Sequence, residues 1–315
     1  MDRRRFLGVA LSAVLFGPDA ARASPRLLAL ATCDGDARLA VVDVHAGRVV
    51  RSIPCARDPR SIERVGSSDA LVCHTAVGLV SIVDGPSLSI RRVIHGFGEP
   101  RYTAAHPDGQ HAFVTDSGTS ELVAVDHVHG RTLGHVRLEE WARHVTIDPA
   151  GRTLWVGLGS ASERVAVVDV SDPARPRLAG MIRPPFLAHD VGFEPGGGQV
   201  WVTSGDVGEL ALYDRSGLLK LRLRADASPQ HVSFAHGRAY VTSGAAGTLH
   251  VVSLAGRGVV GTVRVPVGSY NVQAGHGLVL TPSLDTGVLS VLDRAGRLLH
   301  EVRVARSSHD ACFLS

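Results

Sequence analysis

A short apolar run closed by a small polar residue recurs seven times along this 315-residue chain, and no other feature limits its fold so strongly. The copies are LAVVD ending at Asp43, VSIVD at Asp84, LVAVD at Asp126, VAVVD at Asp169, LALYD at Asp214, LHVVS at Ser253 and LSVLD at Asp293. Successive copies lie 41, 42, 43, 45, 39 and 40 residues apart. A period of about 40, with β-rich runs separated by turn-formers, is the signature of a four-stranded propeller blade. In the fifth unit the four expected strands read HDVGFEP, QVWVTSG, ELALYD and LKLRLRA. The recurrent Asp is read as structural, because its carboxylate can hold the N–H groups of the turn that follows.

The first unit has LLALATC, RLAVVD and RVVRSIP but no inner strand. HDACFLS, at 309–315, matches HDVGFEP in position and pattern. The C-terminal segment is therefore expected to complete blade 1 and close the ring, so that the second strand of blade 1 is not left as an unpaired edge. The expected fold is all-β: a seven-bladed β-propeller with four antiparallel strands per blade, in a single domain over residues 24–315.

Residues 1–23 read as a targeting segment. A charged start, an apolar run over Phe6–Phe16 and a small-x-small ending at Ala21-Arg22-Ala23 form a signal peptide, with cleavage expected before Ser24. The apolar run is too short for a membrane span, which needs roughly 20 residues. Arg3-Arg4-Arg5-Phe6-Leu7 resembles the twin-arginine export pattern, although Asp2 and Gly8 depart from its usual flanks. The expected location is periplasmic or extracellular. Removing the segment takes Arg3, Arg4, Arg5 and Arg22 from the 33 basic residues and Asp2 and Asp19 from the 30 acidic ones, leaving a net charge of +1. The balance gives no reason to expect a nucleic-acid partner.

Pro107–Asp126 (PDGQHAFVTDSGTSELVAVD) and Val200–Asp214 (VWVTSGDVGELALYD) closely resemble the YVTN-repeat propellers, the YncE-like group. The likeness covers essentially the whole mature chain, with blades 2 and 7 matching poorly. It implies the propeller and says little of function, because relatives of similar architecture range from lactonase-type and haem d1 propellers to simple binding proteins.

Aligning the starts of the inner strands yields a ring of equivalent positions. In blade order 1 to 7, the first position holds His309, Arg60, Arg101, Arg143, His189, Gln230 and Tyr270. The second holds Asp310, Ser61, Tyr102, His144, Asp190, His231 and Asn271. Strand side chains alternate, so the second and fourth positions should face the central channel and the third should pack between blades. Three consecutive blades offer arginine at the mouth, with a histidine on each side. Guanidinium groups in a partly desolvated funnel favour a carboxylate or phosphate. A small anionic ligand, or a cofactor carrying carboxylates, would then meet Arg60, Arg101, Arg143 and His189, with Tyr102 and Asn271 beside them.

The same ring supports a second reading. Imidazoles and a carboxylate from separate strands can make a transition-metal site, for which His144, Asp190, His231 and His309 are the candidates. His189 would join only where the strand entrance bends, since neighbours on a strand point opposite ways. Such a site could serve a metal-dependent enzyme. A third reading is a scaffold for another exported protein, and the chain is expected to be a monomer. No G-x-S-x-G elbow, P-loop, dinucleotide fingerprint or H-E-x-x-H occurs. The residues assign no catalytic group, and no cofactor beyond a possible metal.

Cys33, Cys55, Cys73 and Cys312 all fall in blades 1 and 2, where the ring closes. An even count in an exported chain suggests disulfides, with Cys33–Cys312 a reasonable pair. Buried free thiols and metal ligation, with His74 and His309 near Cys33, are the alternatives. Trp155 and Trp201, in second strands, read as core.

Overall fold

A computed structural model describes residues 26–225 and 228–314. The targeting segment at 1–23 lies outside them. The described residues form seven four-stranded antiparallel sheets, each ordered from an inner to an outer strand. The expected ring closure is present. Ala311–Phe313 pairs with Leu28–Cys33 in the register Ala29↔Phe313, Leu30↔Cys312 and Ala31↔Ala311, so blade 1 is built from both ends of the chain. No helix among the described residues is long and apolar enough to cross a membrane.

Local chemistry explains why each unit repeats. All seven run-ending residues hold the following turn by the same bond. Asp43, Asp84, Asp126, Asp169, Asp214 and Asp293 each accept a backbone N–H two or three residues on, and Ser253 does so through its hydroxyl. In every blade the third and outer strands slip register in their last pairs, as between Val41 and Val42 or between Leu212 and Tyr213. A bulge at one place per blade increases the local twist that fans the sheets around an axis.

Seven apolar clusters fill the seven junctions between neighbouring blades. Trp155 and Trp201 are fully buried, as expected, Trp155 between blades 4 and 5 and Trp201 between blades 5 and 6. The expected Cys33–Cys312 disulfide is absent, and all four cysteines are free. The register gives the reason. Cys312 sits opposite Leu30, and Cys33 lies three residues further along the same strand. An odd offset puts the two side chains on opposite faces of the sheet. Cys33 packs into the junction with blade 7 and Cys312 into that with blade 2. Burial pushes the thiols up, to about 11 for Cys33 and about 12 for Cys55 and Cys73, so they stay protonated and are poor ligands.

A threonine at the end of the second strand ties three of the seven junctions at the level of the ring, those from blades 3, 5 and 6 to the next. The second strands read Ala31-Thr32, Val114-Thr115, Val202-Thr203, Val241-Thr242 and Leu280-Thr281, with Cys73 and Gly157 at the equivalent places in blades 2 and 4. Thr203 Oγ1 accepts Asp190 N–H at 2.9 Å within its own blade and donates to the Gln230 carbonyl of blade 6 at 2.6 Å. Thr115 does the same between Tyr102 N–H and the Arg143 carbonyl, and Thr242 between His231 N–H and the Tyr270 carbonyl. Each such buried bond is worth about 1 kcal/mol, and an orphaned buried partner costs about 1–3 kcal/mol. Thr203→Val should therefore destabilise the protein by about 1–3 kcal/mol in urea unfolding, while Thr203→Ser should lose less than half of that.

Candidate functional site

The ring residues are set by these ties more than by strand geometry. The regular inner strands of blades 4, 5 and 6 begin at Val145, Val191 and Val232, after the first two ring positions. His189 and Asp190 therefore sit at a strand entrance, where His189 N–H bonds Thr203 O and Thr203 N–H bonds Asp190 O. Strict alternation does not apply there. The imidazole of His189 turns inward beside those of His144 and His231.

His144, His189 and His231 converge from blades 4, 5 and 6. Each offers a ligand atom within 4.8 Å of the others. Ring centroids are 4.6 Å apart for His144–His189, 4.7 Å for His144–His231 and 5.2 Å for His189–His231. Each ring is held differently. His189 Nδ1 meets the Ser160 carbonyl at 2.8 Å, which makes Nδ1 the donor and leaves Nε2 with a free lone pair. His231 Nδ1 lies 3.3 Å from Asp190 Oδ2. His144 is 1% exposed, yet neither ring nitrogen makes a well-formed hydrogen bond; only the His189 backbone offers it a weak one. Burial, then repulsion from the other two histidines, holds His144 well below the usual imidazole range. Burial and repulsion from His231 bring His189 down to about 4. Both rings are thus neutral around pH 7.

The other expected ligands lie elsewhere. Asp190 Oδ2 accepts Val232 N–H at 3.1 Å across the junction with blade 6, besides facing His231. Its counterpart Asp310 accepts Ile62 N–H of blade 2 at 3.0 Å. His309 is outside the three-histidine group: its Nδ1 meets the Arg60 carbonyl at 2.9 Å and Asn271 Nδ2 at 3.0 Å. Asn271 also donates to the His309 carbonyl at 2.9 Å. Cys33 faces backbone carbonyls and His74 bonds Arg57 O, so neither joins a ligand group. A second cluster among the described residues, His106, Asp108 and His111, is satisfied within itself and by Gly151 O.

The arginines divide. Arg60 pairs with Asp34 at 3.2 Å, and Arg101 with Glu99 at 3.0 Å. Burial raises Asp34 to about 6 even beside that arginine. Arg143 has no carboxylate partner among the described residues. Tyr102 reaches the centre of the channel, with its ring 4.4 Å from His144, 5.7 Å from His231 and 6.2 Å from His309.

Below this layer a cavity of about 300 Å³ continues down the channel, bounded above by Tyr102, Asp190, His231, Asn271 and Asp310. Glu63 and Gln273, from the fourth ring position, face each other across it at 3.1 Å.

Against known proteins, no family model and no curated protein sequence matches the chain. Solved structures do. A functionally unknown protein from Desulfotomaculum acetoxidans is similar over 91% of this chain and 98% of its own, with a TM-score of 0.80 and 11% identity. Apo AztD from Citrobacter koseri has a TM-score of 0.68 and 11% identity, covering 92% of this chain and 98% of that one. Kuenenia stuttgartiensis hydrazine synthase reaches 0.66 at 14% identity, over 80% and 88% of the two chains. These likenesses establish the fold. At such identities the site must be argued from its own residues.

Burial lifts the Glu63 carboxyl to about 7, against an ordinary 4.5, despite the Gln273 hydrogen bond. The folded state therefore binds a proton that the unfolded chain releases between those values, and stability falls as pH rises through that window. Measured by urea unfolding at pH 5 and pH 8, Glu63→Gln should remove that part of the decline and be the more stable protein, relative to wild type, at pH 8.

Proposed function

We propose that the protein is an exported, YncE-like binding propeller that holds a divalent transition-metal ion of the zinc type on His144, His189 and His231. The observation that carries this reading is the buried His144, whose two ring nitrogens lack well-formed partners while two further imidazoles stand within ligand distance. A buried imidazole left that way costs free energy, and a cation accepting its lone pair would recover it. All-imidazole sets suit Zn²⁺ and its neighbours. Nitrogens around a tetrahedral zinc lie about 3.4 Å apart, given Zn–N bonds of roughly 2.0–2.1 Å. The present spread of up to 4.8 Å needs only small side-chain rotations to close. The supports already stand behind two of the rings, Asp190 behind His231 and the Ser160 carbonyl behind His189, as outer-shell partners do in metal sites.

Binding is favoured over catalysis. Three protein ligands would leave a fourth position open, as in catalytic zinc sites. However, the ring carboxylates Asp190 and Asp310 are committed to backbone N–H groups of the next blade, so neither is free to serve as a base. An anion held by the whole arginine set is less well supported, because Arg60 and Arg101 already have acidic partners.

The test is a zinc titration of chelator-treated protein against a competing indicator. Wild type should bind one equivalent. His144→Ala and His189→Ala should each weaken binding at least 100-fold, and Asp190→Asn about 10–100-fold through its support of His231. Failure of wild type to take up a stoichiometric ion, or equal affinity in His144→Ala, would overturn the reading.

A further inference from the structure

Beside the three histidines stand two buried groups of the opposite polarity. Arg143 Nε and the Tyr102 hydroxyl are both shielded from solvent, and neither makes a well-formed hydrogen bond. Both are hydrogen-bond donors at neutral pH, since burial pushes the Tyr102 phenol further up from its ordinary value. The Tyr102 oxygen can accept a weak bond from the Arg143 guanidinium, which leaves the Tyr102 O–H itself without an acceptor. What the pair lacks is an acceptor for that O–H and a well-formed one for Arg143 Nε.

Their placement says which acceptor. Arg143 immediately precedes His144, and its charge is felt at His144, His189, His309 and Tyr102. Arg60 and Arg101 lie close enough to repel it, so this side of the mouth is electropositive. Those two neighbours spend part of their charge on Asp34 and Glu99, and Arg143 faces no acid among the described residues. A half-buried guanidinium with a free edge is matched to a planar oxyanion, which it can grip bidentately. A dication on the histidines would be repelled by the same guanidinium unless an anion stood between them.

We infer that Arg143 and Tyr102 form an oxyanion subsite next to the three histidines, so that a small carboxylate binds there as the metal's fourth ligand. This rests on the metal reading above and adds a property to it. Metal and carboxylate must then strengthen each other's binding by the same factor, as linkage requires. The arrangement also explains why lone pairs and donors are orphaned side by side in one funnel: an ion pair satisfies both.

The experiment uses zinc and acetate as probes on the full mature protein. Zinc affinity is measured with and without saturating acetate in wild type, Arg143→Gln and Tyr102→Phe. Acetate should tighten zinc binding about tenfold in wild type, within the usual range of coupling between sites. It should have no effect in Arg143→Gln, whose zinc affinity without acetate should equal or exceed that of wild type. Tyr102→Phe, which keeps the ring, should show a reduced enhancement. Unchanged zinc affinity on adding acetate to wild type, or full enhancement in Arg143→Gln, overturns the subsite while leaving the metal site standing. If wild type binds no zinc under either condition, the metal reading fails instead. Calorimetry of acetate on the metal-free protein then decides the subsite: binding lost in Arg143→Gln upholds it, and no binding to wild type overturns it.

Discussion

The molecule depends on one small bond, the threonine hydroxyl that joins two blades at the level of the ring. In blades 3, 5 and 6 it accepts an N–H from its own inner segment and donates to a carbonyl of the next. Sheet hydrogen bonds cannot cross a junction between blades, and packing alone is tolerant of sliding. A directional bond at these three junctions fixes how far one inner segment stands from the next. Because several ring residues precede the regular strand, these hydroxyls also set where the functional side chains begin.

The site lies where the threonine is replaced by glycine. At blades 7 and 1, whose Thr281 and Thr32 donate within their own blade, Asn271 and His309 reach the next blade instead. Blade 4 has Gly157 in the threonine's place, and Gly157 lies between His144 and His189. A Cβ there would come 3.2 Å from the His189 carbonyl and 3.7 Å from His144 Cβ, tight against the former. With no side chain in the way, the His144 ring closes to 4.6 Å from that of His189 and turns towards its backbone. A histidine thus occupies the space that a structural hydroxyl fills elsewhere. In blade 2, where Cys73 replaces the threonine, Ser61 makes the bond to the Arg101 carbonyl instead, so the junction is restored and no such opening forms.

Much of this was legible in the sequence, for a physical reason. A repeat of about 40 residues samples the same local physics seven times, so the turn-holding Asp, the strand order and the borrowed closing strand stand out above noise. The two rows of ring residues followed from the same alignment. What the residues could not convey was how each side chain is already engaged. Arg60, Arg101 and Arg143 look equivalent in a row, but acids outside the ring distinguish them. Asp34, in the second-to-third turn of blade 1, reaches Arg60 from the neighbouring blade, and Glu99, just ahead of the inner strand of blade 3, folds back on Arg101 two residues on. The alternation rule set His189 aside because it presumes a pleated strand, and here the pleat starts two residues later. Gly157 was visible as a break in the threonine pattern, and that break was the available signal for the site.

His189–Asp190 and His309–Asp310 show how the repeat and the site separate. The two aspartates do the same work, each reaching across a junction to the N–H of the third ring residue in the next blade. Identical residues in identical register are therefore structural in their carboxylate half. The histidines differ because their neighbours do. His309 meets the Arg60 carbonyl and is further held by Asn271, so it is locked into the junction that closes the ring. His189 meets only the Ser160 carbonyl from a loop of blade 4, and its remaining nitrogen is turned towards His144 and His231. A repeat supplies seven equivalent places for a polar side chain, and chemistry becomes available at those places whose neighbours have been changed so that a lone pair or a donor is left over.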